Sequence, residues 1–343
     1  MRFNSAMGGS ARDRATLLPL APGVYRFRDA RGGVLYLGRA TSLRRRVASY
    51  WGDLGGRPHL GAMMARVARV EAVACDSVHE AAWLERSLLL ARKPPWNRAP
   101  AGGQEVEVWI RLSEGTATPG VAVVHERTQA GRHYGPYLGG RQARLAVSGL
   151  CRVLPLNYAG AELAGTSRDL ARVRGVAAAD RTALADTMAS VLNRDPAAVT
   201  SLRARLTERR DAAAGALAFE LAGRLQQEIE ALDWVTAEQK VTSQDHADYD
   251  VCGWADGTLA RFAVRAGRLA GWTQRACGAA AAASRVAATP PEWREFARRN
   301  AALAARLAAQ DRLSRTVPAY SPVPLARVIR PGQEAAFVPG PQM

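Results

Sequence analysis

Two short runs rich in β-branched, aromatic and other hydrophobic residues lie near the start of the chain, at about residues 23–28 and 33–38. Such runs on either side of a turn are typical of paired strands. The segment between the runs reads Asp-Ala-Arg-Gly-Gly, which favours a tight turn. We therefore predict a β-hairpin with Tyr25 on its first strand and Tyr36 on its second.

The patterns of strand and helical positions continue to about residue 98. The last predicted helix begins with Ser77-Val78-His79-Glu80, a capping-box pattern, and ends at Pro94-Pro95 because a proline pair cannot continue a helix. Two further helices and a third strand are predicted near residues 42–51, 58–67 and 68–75. Residues 17–98 are thus predicted to form a compact α/β unit.

The rest of the chain divides into smaller segments. A small α/β extension holds the turn Tyr134-Gly135-Pro136-Tyr137, and an alanine-rich connector follows it. A strong helical pattern, interrupted at Gly215, predicts two antiparallel helices. Turns that contain glycine then predict a three-stranded β-meander, and a helix precedes a proline-rich tail that we expect to be flexible. The predicted segments are 17–98, 105–153, 154–195, 196–242, 247–275 and 288–343 of an α/β (α+β) protein.

Charge points to a polyanionic partner, because the formal net charge is +16. The first hundred residues hold 17 lysines and arginines against 7 acidic residues, so much of the excess lies beside the two tyrosines. Lysine occurs only at Lys93 and Lys240. This bias also fits a GC-rich genome, so the arginine count alone carries little weight. The sequence has neither a long apolar run nor a signal-peptide pattern, and we expect a cytoplasmic protein that does not contact a membrane.

Candidate chemistry concentrates around the first predicted helix. Arg39, Leu43, Arg46 and Tyr50 follow one another at spacings of four, three and four, so they share one helical face beside the hairpin tyrosines. Positively charged side chains next to phenols are suited to binding a phosphodiester. The alternative is a solvated basic face with Tyr50 in the core.

Glu85 is the acidic residue of interest on the helix at 77–91. Its neighbours three and four residues away are alanines and leucines, so the carboxylate lies beside the apolar stripe. A buried carboxylate is costly unless it is paired or holds a metal. Two interpretations stay open, an ion pair with Arg39 or Arg46, and a hard oxygen ligand for Mg²⁺ or Mn²⁺.

Residues 17–98 resemble the GIY-YIG endonuclease domain and, more narrowly, the N-terminal nuclease of the UvrC family, the excinucleases that make the incisions in bacterial nucleotide excision repair. The matching stretches are PGVYRFRD, LYLGRATSLRRRVASY, EAAWLE and RKPPWN. This ordered series is specific, whereas Gly23-Val24-Tyr25 or Tyr36-Leu37-Gly38 alone would be weak. The resemblance implies a three-stranded antiparallel sheet flanked by helices, and metal-dependent DNA cleavage.

The resemblance also implies roles for individual residues. Tyr25 is the expected general base near the attacking water, and Tyr36 orients the scissile phosphate. Arg46 stabilises the transition state, and Glu85 holds one divalent ion, Mg²⁺ or Mn²⁺. Arg39 stands where lysine is common and is expected, with the metal, to favour ionisation of Tyr25. Supporting or DNA-binding roles are expected for Gly23, Gly38, Arg44, Arg45, Tyr50 and Asn97.

Two later segments are similar to the UvrC family as well. The Tyr134–Tyr137 turn matches its YFGPY segment, and residues around 213–229 match the UVR motif, a helical hairpin that engages the helicase-like partner protein UvrB. Arg210 departs from the motif, where an apolar residue is usual, and Gln226-Gln227 replaces a charged pair. The expected partner contacts are Phe219, Glu220, Arg224 and Leu225.

Two family features have no counterpart in the sequence. After residue 275 we recognise neither an RNase H-like nuclease nor a helix-hairpin-helix tandem, so the chain resembles the short UvrC homologues that cut only on the 3′ side. The family's cysteine cluster is also missing from residues 158–190, and no iron–sulfur cluster is expected; the four cysteines have no CxxC pair and are expected to be reduced. His59 and His79 match no family ligand and are expected to be exposed.

The function expected from the resemblance is one incision near lesions in double-stranded DNA, with UvrB as the partner. Two alternatives stay open. One is a noncatalytic adaptor that binds the damage-recognition complex, and the other is a nuclease that needs no partner.

Overall fold

The computed structural model describes residues 13–52, 59–97, 106–113, 120–238 and 248–316. Within these ranges the strands form three antiparallel sheets. The strands are β1 (Gly23–Arg28), β2 (Val34–Ala40), β3 (Arg69–Ala74), β4 (Glu107–Leu112), β5 (Val121–Val124), β6 (Arg132–Leu138), β7 (Tyr249–Ala255), β8 (Thr258–Arg265) and β9 (Arg268–Ala276). The α-helices are α1 (Leu43–Ala48), α2 (His59–Met64), α3 (Val78–Ala91), α4 (Gly140–Val153), α5 (Thr166–Val173), α6 (Arg181–Leu192), α7 (Pro196–Gly215), α8 (Phe219–Thr236), α9 (Ala279–Ala287) and α10 (Pro291–Thr316).

The first sheet has the order β2-β1-β3, with the predicted hairpin at one side. Asp29 closes the turn through its backbone N–H, which donates to the Gly33 carbonyl at 2.9 Å, and its side chain accepts the Gly33 N–H at 2.7 Å. Gly32 has φ +85°, a conformation that glycine adopts without strain. In the hairpin register Tyr25 lies opposite Gly38. The predicted mixed fold with a three-stranded antiparallel sheet is confirmed.

Asparagine side chains occupy both outer edges of this sheet. Asn97 accepts the Leu37 N–H at 3.0 Å and donates to the Leu37 carbonyl at 2.7 Å, on β2. Asn300, on α10, does the same for Ala74 on β3, at 2.8 and 3.0 Å. Each asparagine therefore satisfies backbone groups that an edge strand leaves unpaired.

Helix α3 crosses behind the hairpin and begins at the predicted cap. The Ser77 hydroxyl accepts the Glu80 N–H at 3.2 Å, as a capping box requires. The Glu80 carboxylate, however, accepts the Asp76 N–H at 2.8 Å. The helix therefore starts as predicted, but the Glu80 carboxylate binds the backbone N–H of Asp76 instead of that of Ser77.

The second sheet, of order β5-β4-β6, packs against helices α4 and α6 to α8 around one hydrophobic core. Ile110, Met188 and Leu232 belong to this core and are fully buried. They come from three of the predicted segments, whose boundaries stay a prediction. The two antiparallel helices predicted around Gly215 are α7 and α8.

The β-meander, β7-β8-β9, packs on the first sheet and α3 together with α10. Phe262 and Trp272 share a hydrophobic cluster with Val24 and Leu84. Arg26 links the two sheets, because its guanidinium carbon lies 3.9 Å from the Trp272 ring centroid while the group also pairs with Glu71. Helix α9 has no counterpart among the predicted elements. No helix in the described part of the chain is long and apolar enough to cross a bilayer.

Candidate active site of the N-terminal domain

Three tyrosines from β1, β2 and the turn after α1 meet beside the first sheet. The Tyr25 side chain is completely buried, and its hydroxyl oxygen lies 2.7 Å from that of Tyr50. The Tyr36 ring centroid lies 6.2 Å from that of Tyr25 and 6.0 Å from that of Tyr50. The structure thus brings the three phenols into one cluster.

Glycine is required at Gly38 because the backbone of β2 passes directly over the Tyr25 phenol. A Cβ at Gly38 would lie 2.6 Å from the Tyr25 hydroxyl and 2.9 Å from Tyr36 Cε1. At Gly23 a Cβ would overlap the carbonyl oxygen of Val73 on β3. Gly38 therefore lets β2 pack closely on the two tyrosines, and Gly23 lets β1 pack closely on β3.

Arg46 supplies the cation of the tyrosine cluster. Its guanidinium carbon lies 5.6 Å from the Tyr50 ring centroid, and the side chain is half-buried. Burial opposes its charge, but Tyr25, Tyr50 and Tyr36 together raise the pKa of Arg46 above its ordinary value. Arg46 is therefore fully charged at any physiological pH.

Burial has the opposite effect on the acidity of the phenols. Burial, and then Tyr50 and Tyr36, raise the pKa of Tyr25 well above its ordinary value, although Arg46 acts to lower it. Burial also raises the pKa of Tyr36. The cation that acts on the pKa of Tyr25 is thus Arg46, whereas Arg39 contacts Glu85. The expected contribution of Arg39 to the ionisation of Tyr25 stays a prediction.

Glu85 lies on α3, almost fully buried, with both oxygens facing Arg39. One oxygen accepts the Arg39 backbone N–H at 3.0 Å, and the other lies 3.4 Å from Arg39 Nε. Of the two ion pairs considered, the pair with Arg39 is formed. The Arg39 side chain remains about one-third exposed.

The carboxylate of Glu85 has the donor chemistry that Mg²⁺ prefers. This ion is commonly held through one or two carboxylates while waters and substrate phosphates fill its other positions. In the described residues no three His, Cys, Asp or Glu side chains are grouped so that they could hold a metal by themselves. Glu85 therefore fits a largely hydrated divalent ion, and Arg39 competes with that ion for one oxygen.

Arg44, Arg45 and Asn97, which are expected to support the site or to bind DNA, differ in what they contact. Arg44 Nε donates to the Leu18 carbonyl at 2.7 Å and so fixes the segment before β1, whereas Arg45 is exposed. Asn97 uses its amide oxygen and nitrogen on Leu37, between Tyr36 and Gly38. Its contact is thus with the strand that carries the site, and the expectation of phosphate contact by Asn97 finds no support in this geometry.

Comparison with known proteins decides the domain's family. A family model described as the UvrC-like GIY-YIG domain matches residues 21–98. Residues 21–98 form a UvrC-like GIY-YIG domain. The matched range carries all five residues expected to be catalytic: Tyr25, Tyr36, Arg39, Arg46 and Glu85.

Similar proteins extend the likeness beyond the GIY-YIG domain. UvrABC system protein C of Trichlorobacter lovleyi is 32% identical over 281 residues, which cover 76% of this chain and 45% of that protein. The corresponding protein of Mycolicibacterium paratuberculosis is 30% identical over 275 residues, 74% of this chain and 42% of that protein. The chain thus spans less than half the length of these relatives.

A solved structure is also similar to the GIY-YIG domain. It is the N-terminal GIY-YIG endonuclease domain of UvrC from Thermotoga maritima, described as bound to magnesium as its catalytic divalent cation. The sequence identity is 28%, the match covers 25% of this chain and 94% of that chain, and the TM-score is 0.24.

His79 joins the GIY-YIG domain to the second core, the hydrophobic core between the second sheet and helices α4 and α6 to α8. Its ring lies 4.5 Å from Trp234 and 5.7 Å from Tyr137, measured between centroids, and Nε2 lies 2.6 Å from the Trp234 carbonyl oxygen. Burial is the main cause that lowers the pKa of His79 to about 4. The expectation that His79 is exposed is wrong, because α8 covers the start of α3. His59 begins α2, and its side chain lies outside what the structure describes.

The hairpin of α7 and α8 presents an apolar tip to solvent. Phe219 is 68% exposed and Leu217 72% exposed, Glu220 is exposed as well, and Arg224 lies 3.6 Å from Glu228. Leu225 packs in the second core with 2% exposure, so the expected partner contact through Leu225 is wrong.

The two departures from the UVR motif contact each other. Arg210 Nη1 donates to Gln226 Oε1 at 2.7 Å. The arginine and the glutamine thus pair across the hairpin and hold α7 against α8. Neither single position indicates this pairing in the sequence, because sixteen residues separate the two.

Proposed function

We propose that this chain is a divalent-metal-dependent endonuclease that cuts one phosphodiester bond on the 3′ side of a lesion in double-stranded DNA during nucleotide excision repair. The observation that carries the proposal is the buried Tyr25–Tyr50 hydroxyl contact, with Tyr36 and the charged Arg46 beside it. Glu85 on the neighbouring helix adds a hard oxygen ligand. The choice of the 3′ side rests on the sequence resemblance to the GIY-YIG part of the UvrC family.

Arg46 and Tyr36 are the residues proposed to contact the scissile phosphate. Tyr36 is only partly buried and retains its phenolic proton because its pKa is raised, so it can donate a hydrogen bond to a phosphate oxygen. Arg46 keeps its charge and offers forked donors to the extra negative charge of the transition state. Arg45, which is exposed on α1, is proposed to contact the DNA backbone.

Tyr25 is proposed to orient the attacking water and to accept its proton. The raised pKa keeps most molecules in the phenol form near neutral pH, in which the hydroxyl can only position the water. The fraction of molecules that carry the phenolate, and with it the cleavage rate, should rise with pH. Tyr50 supports this step through its hydroxyl contact with Tyr25.

Glu85 would hold the metal, with magnesium or manganese as the candidates. When bound, the ion polarises the phosphate and stabilises the leaving oxygen. Arg39 is then proposed to leave the carboxylate and neutralise charge on the DNA, which its partial exposure allows.

UvrB is the proposed protein partner, bound through the exposed end of the α7–α8 hairpin. Leu217 and Phe219 supply apolar surface there, and Glu220 and Arg224 supply charge beside it. A repair enzyme of this kind would act in the cytoplasm, which is the location we propose. The absence of an iron–sulfur cluster stays a prediction.

The proposal is tested by incision of an end-labelled duplex that carries one lesion, with Mg²⁺, in the presence and absence of UvrB. A 3′ cut that needs UvrB is the expected result. Cutting that is equally efficient without UvrB would favour the partner-independent nuclease. The departures from the UVR motif at Arg210 and Gln226 support this alternative. If DNA and UvrB are bound but no strand is cut under any condition, the adaptor replaces the proposal.

A further inference from the structure

A basic pocket lies outside the GIY-YIG domain, in the second core unit. Its volume is about 620 Å³, and it opens between the start of β6 and the junction of α6 with α7. None of the residues that the structure places in its lining is acidic. The lining includes Arg127, Arg132, His133, Tyr134 and Arg194. Its chemistry therefore suits an anion.

Two arginines of this pocket, Arg127 and Arg132, are positioned to donate to a ligand. Arg132 Nη2 lies 4.0 Å from Asp186, and both side chains are largely exposed, so this ion pair contributes little. Arg127 stacks on Trp109, with its guanidinium carbon 5.1 Å from the ring centroid. Stacking fixes the plane of a guanidinium while its N–H groups remain able to donate sideways.

The end of helix α6 places Arg194 at the pocket. Arg194 has φ +68°, the left-handed conformation that commonly ends a helix, and the Asp195 N–H donates to the Ser190 carbonyl at 3.0 Å. His133 Nε2 accepts the Thr128 N–H at 3.3 Å, and Nδ1 lies 3.2 Å from the Gly131 carbonyl oxygen. These contacts hold the β6 end of the pocket in one conformation.

Tyr134 adds a hydrogen-bond donor without a partner in the described structure. Its hydroxyl is buried and makes no hydrogen bond with any of the described residues. A buried polar group without a partner is unfavourable, and such groups call for an explanation such as an absent ligand or ion. Tyr134 lines the same pocket as the three arginines, whose guanidinium groups are the donors expected for a phosphate group.

The pocket is also close to the GIY-YIG domain. Tyr137 lines it and packs against His79, at the start of α3, with the two ring centroids 5.7 Å apart. Glu85 follows six residues later on the same helix, which corresponds to roughly 9 Å along the helix axis. Helix α3 therefore connects the wall of the pocket to the site that contains Glu85.

We propose that this pocket binds a phosphate group, and that the group is a backbone phosphate of the DNA strand engaged by the GIY-YIG domain. The pocket thus provides a second anchor that fixes the DNA relative to the cutting site. The identity of the ligand as DNA rests on the proposed function, whereas phosphate recognition does not. A free mononucleotide is the other source of the same chemistry.

The test compares the full chain with Arg132→Gln/Arg194→Gln, which keeps polar side chains at both positions but shortens them and removes two charges. Arg172→Gln/Arg298→Gln is the control, because both arginines are exposed, each pairs with a nearby carboxylate and neither lines the pocket. Inorganic phosphate and a deoxymononucleotide are titrated by calorimetry, and a fluorescent oligonucleotide duplex by anisotropy at several salt concentrations. Circular dichroism and thermal melting confirm that both variants fold.

The pocket variant should lose binding of inorganic phosphate. It should also bind the duplex about tenfold more weakly, with a salt slope smaller by roughly one, as loss of one phosphate contact predicts. The control should change neither result by more than about twofold. Loss of phosphate and mononucleotide binding with unchanged duplex affinity would identify a free nucleotide as the ligand. Equal weakening in the two variants, or no change in either, would overturn the proposal. Cleavage of DNA is measured for the pocket variant as well. If the variant still cuts, the nuclease assignment stands even where the phosphate-binding proposal fails.

Discussion

The hydroxyl oxygens of Tyr25 and Tyr50 lie 2.7 Å apart, although the first stands on β1 and the second follows α1. Replacing Tyr50 by Phe removes this buried hydrogen bond. We expect the free energy of unfolding to fall by about 1 kcal/mol and cleavage to slow by about tenfold, because Tyr25 loses a partner.

Tyr25→Phe should slow cleavage by ~10²–10⁴-fold, the range for loss of a general base. Single-turnover rates and thermal melts check both, and equal losses of activity would contradict the assignment of the base to Tyr25.

Gly38 should not tolerate a methyl group. In Gly38→Ala the new Cβ would lie 2.6 Å from the Tyr25 hydroxyl, so the phenol must move or β2 must shift. We expect a loss of about 1–3 kcal/mol in stability and a larger loss of cleavage. The matched control is Gly52→Ala, where the nearest atom to a Cβ is 3.7 Å away. A Gly38→Ala variant that cuts as fast as Gly52→Ala would show that Tyr25 need not stay where it is.

Arg39 should weaken metal binding in the absence of DNA. Because its guanidinium lies 3.4 Å from a Glu85 oxygen, Arg39→Ala removes a competitor of the ion, and Mn²⁺ affinity should rise about two- to fivefold, as expected from a partly exposed ion pair. Electron paramagnetic resonance of Mn²⁺ measures this without any cleavage. Glu85→Gln should abolish the binding. Unchanged Mn²⁺ affinity in Glu85→Gln would remove Glu85 as the ligand.

His79 should make the protein less stable in acid. Its pKa is about 4 in the folded chain and near 6.5 when unfolded, so the unfolded state binds more protons between these values. Stability from neutral His79 is present above pH 6.5 and lost as the pH falls towards 4, by up to about 3 kcal/mol. His79→Gln keeps an N–H donor for the Trp234 carbonyl but does not titrate. Its stability should fall less over this range, and parallel curves for the two proteins would contradict the buried neutral ring.

Much of the GIY-YIG domain can be predicted from the sequence because its signals are local. The hydrophobic run around Tyr25, the glycine-containing turn at Gly32 and the cap at Ser77 each act over a few residues. The tyrosine cluster can also be anticipated, because Tyr36 and Arg46 lie in one continuous stretch that matches a known pattern.

Contacts between distant segments cannot be predicted in this way. Asn300 completes the edge of β3 from a helix more than 200 residues away, and no local pattern marks it. The capping turn that contains His79 says nothing about α8, which covers the ring. The burial of Leu225 could not be predicted either, because packing on the second core decides which face of α8 is covered. The ionisation of Tyr25 likewise depends on burial, which spacing alone does not reveal.

Cleavage by an Arg46 variant tests the central claim most directly. Arg46→Ala removes the cation beside the three phenols, whereas Arg31→Ala removes one from the exposed hairpin turn and matches it in charge. The measurement is single-turnover incision of the end-labelled lesion duplex with Mg²⁺ and UvrB, with DNA affinity determined in parallel. We predict that Arg46→Ala loses cleavage by ~10²-fold or more, as for other transition-state charge stabilisers, while it still binds DNA and Arg31→Ala cuts normally. Equal cleavage by the Arg46→Ala and Arg31→Ala variants would contradict the account.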